Sequence, residues 1–209
     1  MVNDMAKKRN GIFDWIAPIY GLFFNIQAKH YKMALDGALF ELNLTGYKSI
    51  IDVGCGTGAL CSVLKQMGLK VTGVDRAERM LRIAARHPEN IEVSFLQASV
   101  LERMPFEDKE FDISIAALVA HGLKQDERKR MYAEMGRITE HMVLIYDYNK
   151  KRSMLVDIVE WFEGGDYFNF IKNPQIEMQE CFEKVFVIDV SKYGACYICS
   201  PHKGLFYSK

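Results

Sequence analysis

No stretch of this chain approaches the ~18 consecutive apolar residues that a membrane-spanning helix needs, so stable insertion into a bilayer is not expected. Excess charge is missing too: 27 Lys and Arg stand against 27 Asp and Glu. Nucleic-acid binders usually show a basic footprint, so no nucleic-acid partner is expected. A disulfide framework is lacking, because the five cysteines are odd in number and follow no regular spacing. Free thiols and a cytoplasmic setting are expected instead. Lys7, Lys8 and Arg9 are not followed by a continuous hydrophobic region, which argues against a secretory signal. Internal repeats, low-complexity tracts and Pro/Ser-rich linkers are also missing. A single domain over 1–209 is expected, long enough for a sizeable core.

The most informative stretch runs from Ile50 to Gly58, Ile-Ile-Asp-Val-Gly-Cys-Gly-Thr-Gly. A short apolar run ends in Asp52, and glycines follow at 54, 56 and 58. Leu60, Val63, Leu64 and Met67 then repeat at helical spacing. That order reads as strand, glycine turn, helix. Missing side chains let a ligand approach the main chain, and the helix start offers unpaired N–H groups beside it.

A phosphate loop is excluded, since no Lys-Ser/Thr pair follows the glycines. The dinucleotide pattern Gly-x-Gly-x-x-Gly/Ala is met by Gly54, Gly56 and Ala59. That pattern accounts for neither Asp52 nor Gly58. Asp52-x-Gly54-x-Gly56-x-Gly58 instead resembles the first motif of class I S-adenosylmethionine-dependent methyltransferases. The resemblance implies that Asp52 orients the methionine end of S-adenosylmethionine, and that the loop Gly54, Cys55, Gly56 and Gly58 packs against it. Cys55 stands where the family often has a small residue and is given no chemistry.

Lys70–Asp75 reads as a second strand ending in a carboxylate, 21 residues after Gly54. A carboxylate there suits two ribose hydroxyls and could equally cap a helix over 77–86. The resemblance assigns Asp75 to the ribose, with Arg76 beside it. Ile91, Val93 and Phe95 alternate as a half-buried strand, and Phe111–Ala117 reads as another. Between them Ala98 and Ser99 occupy the place where relatives often carry Gly-Asp, before Met104-Pro105-Phe106. Backbone atoms and the Ser99 hydroxyl would then serve the adenine.

Asp126–Ile138 reads as a helix feeding a strand over Met142–Tyr146, and 184–189 with 195–199 as a hairpin. Strands alternating with helices imply a parallel sheet covered on both faces. The resemblance implies a Rossmann-like α/β fold with seven strands in the order 3-2-1-4-5-7-6, strand 7 antiparallel. Residues 12–45 and 149–182 are expected to be helical caps over the sheet's carboxyl edge. Cys196-x-x-Cys199 with His202 lies in strand pattern, where residues three apart face opposite sides, so no metal site is expected.

Phe13-Asp-Trp-Ile-Ala-Pro-Ile-Tyr20 resembles the opening of the ubiquinone/menaquinone-biosynthesis methyltransferase branch, with Gly21 where an Asp is usual. That implies a small, apolar or aromatic methyl acceptor. Tyr20 and His121 are the candidate catalytic residues, His121 because it follows the fourth strand. Asp147, Tyr148 and Asn149 end the fifth strand at the same edge and are candidate polar contacts to the acceptor, and Trp161, Tyr167 and Phe168, which enrich the second cap, are candidate aromatic ones. Packing of cap helices is the alternative use of these aromatics. His30, His87, His141 and His202 read as surface or structural positions. A nicotinamide-dependent oxidoreductase and a catalytically silent cofactor-binding protein are the competing functions. No feature of the sequence sets an oligomeric state.

Overall fold

The computed structural model describes residues 23–39, 44–152, 157 and 165–201. Strand β1, Ser49–Val53, follows a turn at Leu44–Gly46 and buries everything after Ser49. A strand covered by helices on both faces reads as such a continuous apolar run. The glycine turn leads into α2, Ala59–Gln66, preceded in the chain by α1, Phe24–Leu39. Then come β2 (Lys70–Asp75), α3 (Glu78–Arg86), β3 (Ser94–Gln97) and β4 (Phe111–Ala117). Helix α4 (Gln125–Ile138) runs into β5 (Thr139–Tyr148), and the short helices α5 (Tyr167–Phe170) and α6 (Pro174–Gln179) follow. Strands β6 (Lys184–Asp189) and β7 (Gly194–Ser200) end the described fold.

The seven strands lie in the order β3-β2-β1-β4-β5-β7-β6. Pairing is parallel from β3 to β5, and β7 runs antiparallel to both of its neighbours. The expected topology is therefore present. Its chain order reverses direction between β1 and β4, the switch point where ligands bind open α/β sheets. Alternate residues of β1 feed two cores. Ile51 and Val53 pack with Met131, Tyr132 and Met135 on the α4 side. Ile50 packs with Leu60, Leu64 and, from α1, Ala34 and Leu35 on the other. Cys199 joins the first core and Cys196 the second, on opposite faces of β7.

Three boundaries differ from the sequence reading. Strand β3 begins at Ser94, because Pro88–Asn90 forms a 3-10 turn and Glu92 takes a left-handed φ of 75°. Asn90 holds that turn through Nδ2, which donates to Ala84 O at 3.0 Å. Ile91 is consequently 66% exposed and outside the strand. Met67 lies past the end of α2 and is also exposed, so the helix's buried face ends at Leu64. Strand β5 starts at Thr139, three residues early, where the Thr139 hydroxyl lies 2.6 Å from Met135 O and closes the preceding helix.

Candidate active site

The loop after β1 is tied to β2 by its own backbone. The N–H groups of Gly54 and Cys55 both donate to Val74 O, at 2.8 and 3.0 Å. The glycines have different work. Gly54 has φ 76°, and a Cβ there would lie 2.6 Å from Val119 Cγ2 in the turn after β4. Gly58 lies against Asn90, Ala84 and Phe95, which hold α2 to α3 and β3. Gly56, with φ 51°, would present its Cβ to open space. Gly56 is thus the glycine of the β1 loop, among 54, 56 and 58, with unfilled space beside it. Cys55 is buried beneath it and has room only because Gly73 of β2 lacks a side chain: a Cβ at 73 would lie 2.9 Å from Cys55 Sγ.

Two carboxylates flank this loop. Asp75 Oδ2 accepts the Gly56 N–H at 2.9 Å and Oδ1 accepts the Ala77 N–H at 2.8 Å. One side chain therefore joins the cofactor-type loop to the start of α3, although the formal helix cap is Ala77. Burial raises the Asp75 pKa, with the two amides acting in the opposite direction. Asp52 is 1% exposed, and the Cys61 thiol donates to its Oδ2 at 3.2 Å. Burial pushes Asp52 up to about 7, the Cys61 hydrogen bond lowers it, and the charge of Asp75 adds to the rise.

Beyond Asp75 the rim consists of Arg76, Gln97, Ala98 and Ser99. Ala98 N–H donates to Asp75 O at 3.1 Å, and Gln97 Nε2 to Arg76 O at 3.0 Å. Arg76, Ala98 and Ser99 are half-buried. Ser99 Oγ accepts the Leu101 N–H at 3.3 Å and so helps hold its own turn. Gln97 was not anticipated from sequence; its position as the last residue of β3 is the signal that would have found it.

On the other side of the switch point, His121 occupies a 3-10 turn, Ala120–Gly122, directly after β4. Its Nδ1 lies 2.8 Å from Asp147 Oδ1, and its backbone N–H donates to Asp147 Oδ2 at 3.2 Å. Asp147 is fully enclosed and also accepts the Tyr148 N–H. An enclosed carboxylate presents no surface to a substrate, so the direct contact expected of Asp147 gives way to orientation of His121. Asn149 is likewise structural: its side chain bonds Asp189, Lys192 O and the Lys151 N–H. Tyr148 meets His121 edge-on at 4.9 Å and Tyr167 at 5.0 Å. Tyr167 is 1% exposed, donates to Asp157 Oδ1 at 3.1 Å and packs in the core, where a contact with substrate was expected. Phe168 is half-buried beside it, with Arg152 over its ring. Tyr20, Trp161 and His202 lie outside the described residues.

Arg128 went unnoticed in the sequence, where it looks like one more charge on a polar helix. It is 1% exposed, forks onto Glu177 at 2.6 and 2.8 Å, and reaches Asp166 at 3.0 Å. The Asp166 N–H donates to His121 O at 3.0 Å, so α4, α6 and the start of α5 are fastened to the His121 turn. Among the described residues no group of three or more His, Cys, Asp or Glu could hold a metal.

Known proteins share this fold. A family profile described as a methyltransferase domain matches residues 50–141. The demethylmenaquinone methyltransferase of Chlorobaculum tepidum is 29% identical over 205 residues, covering 86% of this chain and 84% of that protein. The ubiquinone biosynthesis O-methyltransferase of Nitrosococcus oceani is 38% identical over 68 residues, 32% of this chain and 29% of that protein. A crystal structure of an S-adenosylmethionine-dependent methyltransferase from Thermotoga maritima superposes with a TM-score of 0.68 at 19% identity, covering 93% of this chain and all of that one. The methyltransferase-domain match, the named relatives and the shared fold together support a class I S-adenosylmethionine-dependent methyltransferase that resembles the ubiquinone/menaquinone-biosynthesis-like branch.

Proposed function

We propose that this methyltransferase acts on a small apolar or aromatic molecule, bound between the glycine loop and the His121 turn. The observation that carries the cofactor half is the pairing of Gly56 with Asp75, with unfilled space beside the glycine. Bound there, S-adenosylmethionine supplies an electrophilic methyl group. In this reading Asp75 accepts ribose hydroxyls and keeps its amide donors, since a carboxylate has about four lone-pair sites. Asp52 is nearly as enclosed as Asp147, so it acts on the methionine ammonium through its charge from beneath the loop, and a cation nearby would favour its ionised form. Arg76, Ala98 and Ser99 border the adenine. The two named relatives act in different quinone pathways by their names, and only that class of acceptor is carried over.

The acceptor half rests on the ring cluster of His121, Tyr148 and Phe168. Small-molecule pockets are mostly apolar with few polar groups. His121, oriented by Asp147, can take a proton from a phenol or an activated carbon. For a neutral amine or a preformed anion it need only align the acceptor. Tyr20 and Trp161 are assigned to the acceptor from sequence alone. No described helix is long and apolar enough to cross a membrane; a single domain, a cytoplasmic setting and no nucleic-acid partner are parts of the proposal. A dinucleotide reading is not favoured, because it gives Asp52 no role toward the ligand. The test is a methyl-transfer screen of phenols, quinols, amines and thiols, read as S-adenosylhomocysteine release. Turnover with an aromatic acceptor supports the reading, and turnover confined to polar acceptors rejects the acceptor class.

A further inference from the structure

Leu118 is the first residue beyond β4 and has a left-handed φ of 57°. Leucine rarely adopts that conformation, and a residue kept there is held by its surroundings. The surroundings are on both sides. Its N–H donates to Tyr146 O at 2.8 Å, next to the Asp147 that orients His121. The following residue, Val119, fills the space beside Gly54 in the glycine loop. Leu118 therefore sits at the β1–β4 switch point, with the cofactor loop on one side and the His121 turn on the other. A turn that needed only its backbone shape would be better served by glycine or asparagine. Leu118 instead leaves a large apolar side chain 37% exposed at the sheet's carboxyl edge.

We propose that Leu118 is a specificity-determining residue whose strained backbone aims its side chain at the apolar body of the methyl acceptor. This rests on the acceptor pocket assigned above. Its contact is apolar, so it selects a flat or hydrophobic acceptor over a charged one and takes no part in proton transfer. The strain is the reason to expect function: an incidental leucine would gain stability on replacement by glycine and lose nothing.

The test uses the full chain and two variants, Leu118→Gly and Leu118→Asn, both of which suit a left-handed backbone. Affinity for S-adenosylhomocysteine is measured first by calorimetry, and 2-naphthol is then titrated into each saturated complex. The expected result is wild-type binding of 2-naphthol, weakened at least about tenfold in both variants, a loss equivalent to about 1.4 kcal/mol. Affinity for S-adenosylhomocysteine should stay within about twofold, and Tm should be no lower than wild type. Unchanged 2-naphthol affinity in a folded variant overturns the role of Leu118 and leaves the cofactor site standing. Failure of the wild-type complex to bind 2-naphthol overturns the aromatic pocket and Leu118 together. Failure to bind S-adenosylhomocysteine rejects the cofactor reading itself. If one variant does not fold, the other decides.

Discussion

Asp75 accepts the backbone N–H of Gly56 at 2.9 Å, from the end of one strand to the loop after its neighbour. The bond fixes the separation between the loop and the position assigned to the ribose. It also means that Asp75 serves the fold before any ligand arrives, because its other oxygen holds Ala77 at the start of α3.

Asp75→Ala is expected to weaken S-adenosylmethionine binding. Hydrogen bonds to a charged group contribute roughly 1.5–3 kcal/mol each, so a loss of at least about tenfold in Kd is predicted. Two amides also lose their acceptor, and Tm should fall. Calorimetry on a folded Asp75→Ala protein with unchanged affinity would remove Asp75 from the site.

Gly56→Val and Gly54→Val should fail in different ways. At 56 the new side chain meets open space, so the chain folds, with some backbone strain, and the cleft is blocked. At 54 it meets Val119, and overpacking of this kind costs about 1–3 kcal/mol before backbone strain is added. The prediction is a modest Tm change with abolished cofactor binding for Gly56→Val, and a larger Tm loss for Gly54→Val. The reverse order of Tm values would contradict the division of labour between the glycines.

Asp52 makes the protein's stability depend on pH. Its folded pKa, about 7, lies above the ordinary 3.8. Between these values the unfolded chain has released the proton that the folded chain keeps, so stability falls as pH rises through this window. The effect is on the order of 4 kcal/mol, and the upward shift of Asp75 acts in the same sense. Asp52→Asn should flatten the decline in Tm from about pH 4 to about pH 7. It should also remove the rise in S-adenosylmethionine affinity expected as Asp52 ionises. A cofactor affinity that is flat with pH in the wild type would count against electrostatic coupling between Asp52 and the ammonium.

These placements separate what the sequence could and could not express. The β1 loop, Asp75 and β4 were legible because local spacing determines them: an apolar run, glycines at alternate positions, a carboxylate at a strand end. Gly73 and Val119 were not, since each matters only through a neighbour distant in sequence, Cys55 and Gly54 respectively. Asp147 looked like a substrate ligand because it ends a strand at the right edge. Its side chain turns inward to His121, an orientation fixed by the turn after β4. Arg128 was masked by a charged helix, and only α5 and α6 reveal why it is buried.

Asp147→Asn and His121→Gln should lower kcat for an acceptor that must lose a proton, by about 10²–10⁴ for His121→Gln, while leaving the Kd for S-adenosylmethionine near wild type. Asp147→Asn keeps the shape but no longer favours the same ring tautomer, so its loss should be smaller. Equal kcat in wild type and His121→Gln with a phenolic acceptor would exclude His121 as the base.

The most direct measurement is a calorimetric titration of the purified chain with S-adenosylmethionine, S-adenosylhomocysteine, NAD and NADP in parallel. The account predicts saturable binding of the first two at one per chain, lost in Gly56→Val, and no binding of either dinucleotide. Binding of NAD or NADP with none of S-adenosylmethionine would contradict it.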